Sequence, residues 1–212
     1  MIEPIKQKYE KLGPKVVEAL KKRHFDAYYV STKEEALKKA LEIIPENHSI
    51  GWGGSLSIDG IGLKEELKKA GHKMIDRDLA KTPEERNQIM LQALGSDTFL
   101  MSSNAITEDG QLFNIDSVAN RVAALCFGPK SVVIVAGMNK IVPNLEAAYH
   151  RVRGFASPAN AQRFPINTPC KLTGECGDCT GTDCICNQFV TTRLCKPAGR
   201  IKVILVGEDL GI

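Results

Sequence analysis

Apolar positions along the chain switch between helical and strand spacing many times. Over residues 5–22, Ile5, Tyr9, Leu12, Val16 and Leu20 recur every three or four positions, the stripe of an amphipathic helix, with a bend or restart at Pro14. Residues 27–30 form a short β-prone run. Thr32-Lys33-Glu34-Glu35 then reads as a capping box, opening a helix with Ala36, Leu37, Ala40, Leu41 and Ile44 inward and stopping at Pro45. Residues 48–52 predict a strand, followed by Gly53-Gly54-Ser55 and a helix through Leu63, Leu67 and Ala70 that Gly71 closes. Residues 73–75 read as another strand. A second capping box, Thr82-Pro83-Glu84-Glu85, opens a helix to Leu94 that ends at Gly95, with residues 98–101 as the next strand.

The pattern changes at residues 105–115. An Asp109-Gly110 pair between β-prone flanks predicts a hairpin. Residues 117–126 read as helix, 131–135 as a buried strand, 142–152 as helix, and 189–192 and 201–206 as two closing strands. Strands alternating with helices predict an α/β fold: a three-layer, parallel-rich sheet with helices on both faces, one β-hairpin insertion and a cysteine-rich metal-binding loop near the C-terminus. One domain spans 1–212, and the cysteine segment, 166–187, is an insertion in it.

Composition narrows the function. The 212 residues are 43% hydrophobic and 25% charged, with a net charge of +3 and no run of like charges, so nothing favours nucleic acid. The N-terminus is polar and lacks the apolar core of a signal peptide, and the longest apolar runs, 132–136 and 203–206, are far too short to cross a bilayer. The expectation is a cytoplasmic protein with no membrane or nucleic-acid partner.

Several polar turns follow predicted strands, where open α/β sheets bind ligands. Gly51-Trp52-Gly53-Gly54-Ser55-Leu56-Ser57 is one; its glycines let backbone N–H groups approach an anion, Ser55 and Ser57 add donors, and Trp52 is assigned to packing. Gly53, Gly54 and Ser55 are therefore candidate ligand contacts. Asn104 follows the 98–101 strand. In the Asn114–Arg121 stretch, Asp116 or Ser117 caps a helix whose first turns carry Asn120 and Arg121, the latter suited to a bidentate carboxylate or phosphate contact. Asn139 and Lys140 sit in the turn after the buried strand. By spacing alone Glu108, beside the Asp-Gly turn, reads as a solvated hairpin tip.

Five of the seven cysteines fall within seventeen residues, spaced C-x5-C-x2-C-x4-C-x-C (Cys170, Cys176, Cys179, Cys184 and Cys186), in a glycine-rich segment without regular periodicity. In a reducing cytosol such clustered thiols point to metal, and an odd count leaves at least one thiol unpaired in any disulfide scheme. Cys176-Gly177-Asp178-Cys179 is the strongest chelating unit. Four ligands suffice for zinc or a four-iron cluster, so one of the five is spare, with Cys184 and Cys186 competing. Cys126 and Cys195 are expected to be inert core thiols. The histidines, His24, His48, His72 and His150, form no ligand pattern.

These blocks together resemble the LUD domain, the lactate-utilisation family. The match is carried by Gly51-Trp52-Gly53-Gly54-Ser55, Asn104-Ala105-Ile106-Thr107-Glu108-Asp109-Gly110, Asn120-Arg121-Val122-Ala123, Gly128-Pro129, Val135-Ala136-Gly137-Met138-Asn139-Lys140, Thr168-Pro169-Cys170, Ile185-Cys186-Asn187 and Val206-Gly207-Glu208-Asp209-Leu210-Gly211. The resemblance implies a fold like that of ribose-phosphate isomerases, glucosamine-phosphate deaminases and coenzyme A transferases, and a link to oxidation of lactate to pyruvate. Glu108-Asp109-Gly110 looks like the Glu-x-Gly loop that carries the nucleophile in those transferases, which raises Glu108 to a candidate catalytic residue. It also implies Cys170, Cys176, Cys179 and Cys186 as metal ligands, with Cys184 the extra thiol.

The cofactor expected is a [4Fe-4S] cluster if the protein passes electrons, with zinc the alternative for a structural clip. The expected ligand is a small anionic molecule, lactate- or pyruvate-like, coenzyme A or a sugar phosphate. An iron–sulfur or flavin oxidoreductase subunit and a second copy of the chain in a homodimer are the expected protein partners. Two alternatives stand beside this reading: a transferase or isomerase using Glu108, and a non-catalytic scaffold stapled by zinc.

Overall fold

A computed structural model describes residues 1–212. Nine strands form two sheets. The first is fully parallel and holds β1 (Asp26–Val30), β2 (Ile50–Trp52), β3 (Thr98–Met101), β6 (Ser131–Gly137) and β9 (Ile201–Val206) in the order β1-β9-β6-β3-β2. The second holds β4 (Ala105–Thr107), β5 (Leu112–Asp116), β7 (Ile141–Val142) and β8 (Gln188–Thr192) in the order β7-β4-β5-β8. Nine α-helices accompany them: α1 (Glu3–Lys22), α2 (Lys33–Ile43), α3 (Leu56–Gly60), α4 (Leu63–Lys69), α5 (Pro83–Leu94), α6 (Asn120–Cys126), α7 (Leu145–Arg151), α8 (Ser157–Ala161) and α9 (Pro169–Thr173).

The period-2 side-chain alternation of a strand explains the layering. Phe99, Met101, Val132, Ile134, Val203 and Leu205 point to one face and pack with Val16, Val17 and Leu20 of α1, Ala93 of α5 and Leu125 of α6. The intervening Leu100, Val133, Val135, Ile204 and Val206 point to the other and pack with Ala36 and Ala40 of α2, Ile58 of α3 and Leu63 and Leu67 of α4. Both faces are covered, which is why β6 and β9 read as continuous apolar runs.

Local signals start the helices where expected. Thr32 Oγ1 accepts from the Glu35 N–H at 3.2 Å while the Glu35 carboxylate accepts from the Ser31 N–H at 2.7 Å. Thr82 and Glu85 repeat the arrangement, at 3.1 Å and, to the Lys81 N–H, 2.7 Å. Each such cap contributes about 1 kcal/mol.

Four readings are corrected. α1 runs unbroken through Pro14, with Gly13 beneath the Tyr29 ring. The expected strand at 73–75 is only a single bridge from Met74 to Ile50, because three residues at a sheet edge form little ladder. The hairpin is larger than an insertion: β7 and β8 add a strand to each side, so residues 189–192 leave the main sheet and the helix expected from 142 starts only at Leu145. Cys126, assigned to the core, is exposed at the end of α6, whereas Cys195 is buried as expected. Residues 166–187 hold only α9 and irregular chain.

Candidate functional site

A cavity of about 810 Å³ opens where β2 and β3 end, alongside Lys140 just beyond β6. Its walls also come from the Arg77–Leu79 turn, α5, α6, α8 and the cysteine segment. That volume suits a small ligand or cofactor fragment.

Lys140 is its most unusual lining residue. It sits in a 3₁₀ turn after β6 and is 3% exposed. Its ammonium donates to the hydroxyls of Ser57 and Ser102, each at 3.0 Å, and has no carboxylate partner. Burial, reinforced by the nearby charges of Arg151 and Arg121, pushes its pKa down to about 7. The tail packs against this group: Ser57 donates to the Leu210 carbonyl at 3.3 Å, and Gly211 has φ +67°, where a Cβ would stand 3.2 Å from Lys140 Nζ. Asn139 holds that tail, accepting from the Leu210 N–H at 3.1 Å.

Arg121 is bonded throughout. Its guanidinium donates to the Ser102 carbonyl at 3.2 Å, Asn114 Oδ1 at 3.0 Å, Asn104 Oδ1 at 2.9 Å and the Ile115 carbonyl at 2.5 Å, with Asp116 3.5 Å from Nε. It ties the end of β3 to β5, leaving little for a ligand. Gly53 accommodates its stem, since a Cβ there would lie 3.0 Å from Arg121 Cγ and Cδ. Of the two expected caps, Asp116 and Ser117, it is Asp116 that accepts from the Val122 N–H, at 3.2 Å, and Ala119 precedes α6 with φ +64°.

Arg77 is freer. Its guanidinium lies 2.9 Å from where a Gly54 side chain would begin, and its buried Nε has no hydrogen-bond partner. Burial, then the neighbouring Arg86, lowers its pKa, although a guanidinium keeps its charge. The indole Nε1 of Trp52, another residue of the cavity lining, likewise has no hydrogen-bond partner. Buried orphan donors are rare and costly, so two on residues that line one cavity favour an acceptor nearby. Six cationic side chains (Lys64, Arg77, Arg86, Arg121, Lys140 and Arg163) line it against the carboxylates of Asp59, Asp78 and Asp116. The site can hold an anion.

Of the expected ligand residues, Gly54, Ser55, Asn104, Asn120, Arg121 and Lys140 line the cavity. Ser55 caps α3, accepting from the Ile58 N–H at 3.3 Å. Gly53 and Asn139 stand behind the lining. Trp52 packs as expected and also faces the cavity. Glu108 does not join them. It is exposed on the β4–β5 turn and lines a separate shallow cleft against α1, with Lys8, Lys11 and Lys15. Ser102, Ser103, Arg77, Ser157 and Arg163 complete the wall without having been expected. The serines follow β3 directly, a position the strand-end rule does flag, whereas Arg77 lies in a polar stretch with no distinguishing pattern.

The cysteine segment forms the adjoining wall through Ile185. No three Cys, His, Asp or Glu side chains are placed to hold a metal ion. A single tetrahedral zinc needs sulfurs about 3.8 Å apart, given its 2.3 Å bonds. The thiols nevertheless share one neighbourhood. Burial, a hydrogen bond with Cys184 and the charges of Cys184, Cys170 and Cys186 push Cys179 up to about 11. Burial, then the charges of Cys184, Cys176 and Cys170, raise Cys186, against a contact with Ser157 that lowers it. Arg153 donates to Cys176 Sγ at 3.1 Å and to Asp178 at 2.7 Å. The raised values keep these groups as neutral thiols; a positive, sulfur-bridged cluster, which spreads its ligands wider than one ion does, would relieve the repulsion that resists their ionisation.

Fold and cavity define a layered α/β protein with a lysine- and arginine-lined cavity at its strand ends. The chain belongs to the LUD domain family, whose model matches residues 13–206. No curated protein matches it. Among solved structures it is similar to a DUF162 family protein from Deinococcus radiodurans, at 12% identity, 93% coverage of this chain and 98% of that one, with a TM-score of 0.53. A ribose 5-phosphate isomerase A from Neisseria gonorrhoeae aligns over 62% of each chain at 18% identity with a TM-score of 0.34. No helix is long and apolar enough to cross a membrane.

Proposed function

We propose that this protein is a cytoplasmic component of lactate or related hydroxy-acid utilisation, binding a small anion in the cavity beside a cysteine-held four-iron cluster. The observation that carries the reading is Lys140, buried without a carboxylate and held between Ser57 and Ser102 in a cavity rich in arginine. In such surroundings a carboxylate or phosphate is the natural counter-charge. Arg77, whose Nε makes no hydrogen bond and lies 3.9 Å from Asp78, and Trp52 are the lining residues with donors to spare, while Arg121 and Asn104 hold the frame. Cys170, Cys176, Cys179 and Cys186 would hold the cluster, which when bound supplies one-electron chemistry next to the cavity. Glu108, exposed and outside the cavity, lends no support to a reading in which it is the nucleophile.

Calorimetric titration with pyruvate, lactate and inorganic phosphate tests the anion site. Binding of at least one, weakened about tenfold or more in Arg77→Ala, is expected from the loss of a charged hydrogen bond. No binding by any of them overturns the site. For the cluster, anaerobically purified protein is expected to be brown with broad visible absorption. A colourless protein with stoichiometric zinc removes the electron-transfer role.

A further inference from the structure

We infer that Lys140 is a covalent site: its ε-amine captures, as an imine, a small aldehyde or ketone that carries an anionic group. This rests on the anion site proposed above and deepens it by naming the reacting class. Lys140 is 3% exposed yet lines the cavity, so the cavity is its route to a small molecule. Two of its hydrogen-bonding positions are taken by hydroxyls, Ser57 and Ser102 at 3.0 Å each. The third position has no protein partner. Once the amine is neutral, the third position is a lone pair.

The charged groups that bear on Lys140 come from two packed elements, Arg151 of α7 and Arg121 of α6, and both are cationic. No carboxylate stabilises an ammonium here, and the neutral form is the one the site favours. A desolvated lysine beside other cations is an activated amine nucleophile. The cations that disfavour its proton also line the space where a substrate carboxylate or phosphate would lie, with Arg77 the member that retains an unbonded donor. A carbonyl compound with a charged end meets both requirements at once. An alcohol such as lactate meets only the second.

The chemistry balances without an oxidant or reductant. The amine lone pair forms the C–N bond as the carbonyl π pair moves to oxygen, which takes a proton. The carbinolamine then expels that oxygen as water while nitrogen gives up its second proton, leaving C=N. One carbonyl compound and one amine yield one imine and one water. Ser57, which donates to the Leu210 carbonyl, and Ser102 stand at the nitrogen to receive and return these protons.

The test is reductive trapping of the full chain with borohydride in the presence of pyruvate, glyoxylate or ribose 5-phosphate, read by peptide mapping, alongside calorimetry with lactate and phosphate. One adduct is expected, on the peptide carrying Lys140. It should form half-maximally near pH 7. At that pH it should form at least about a hundredfold faster than at exposed Lys8 or Lys68. Trapping with the oxo acids alone assigns a carboxylate substrate, and trapping with the pentose alone assigns a phosphate. Lys140→Arg keeps the charge and should lose the adduct. If that variant does not fold, the wild-type peptide map and pH profile still decide. Binding of anions without any Lys140 adduct overturns this inference and leaves the anion site standing. Labelling spread evenly over surface lysines overturns it too. No binding and no adduct overturn both.

Discussion

Replacing Lys140 by Met should stabilise the protein in mild acid and do nothing in mild base. An unfolded lysine titrates at 10.5 and the folded Lys140 at about 7. Between these values the unfolded chain binds the extra proton, so wild-type stability rises with pH from about 7 towards 10.5, by about 1.4 kcal/mol per unit of pH, and levels off at its low value below 7. From pH 6 to pH 9 the gain comes to about 3 kcal/mol. At pH 6 the buried ammonium costs the fold about 5 kcal/mol on the same scale. Met keeps the volume but gives up two hydrogen bonds, worth about 1 kcal/mol each. The variant should therefore exceed wild type by roughly 2 to 3 kcal/mol at pH 6 and match it at pH 9. Urea unfolding of both proteins, followed by the fluorescence of Trp52, the chain's single tryptophan, gives the difference at each pH and cancels every other titrating group. Parallel pH curves for the two proteins would refute the reasoning.

Other outcomes follow from the same contacts. Gly211→Ala places a Cβ 2.5 Å from Ser57 Oγ at φ +67°, and should lower stability by about 1–3 kcal/mol and weaken anion binding. Gly181→Ala, with open space around it, should shift the unfolding midpoint little. Glu108→Ala should leave unfolding within about 0.5 kcal/mol and the calorimetric affinity unchanged; loss of binding would move the site to the other cleft. Visible absorption should survive Cys184→Ser and disappear in Cys176→Ser, and the reverse result would exchange their roles.

Much of the scaffold was legible because it is local. The caps at Thr32 and Thr82, the doubly covered β6 and the Asp109-Gly110 turn are each written within a few residues. Pairing was not, since nothing in residues 141–142 or 188–192 says that they flank a hairpin and not the main sheet. The site divides in the same way. Lys140 follows a buried strand and could be singled out there. Its burial depends on Ser57, Ser102 and Gly211, which meet only once β2, β3 and the tail converge. Arg121 looked available for a ligand because its four oxygen partners lie on chain segments that sequence does not align.

Ile185 lies between two cysteines and still forms part of the cavity wall, while Ser157 faces the cavity and also contacts Cys186. Under the proposed function, the small molecule and the cluster would share one partition. Thermodynamic reciprocity then holds without further assumption: any factor by which loading the sulfurs changes affinity for the small molecule is the factor by which that molecule changes the grip on the inorganic centre. Titrating either one in the presence of the other reads the same number twice.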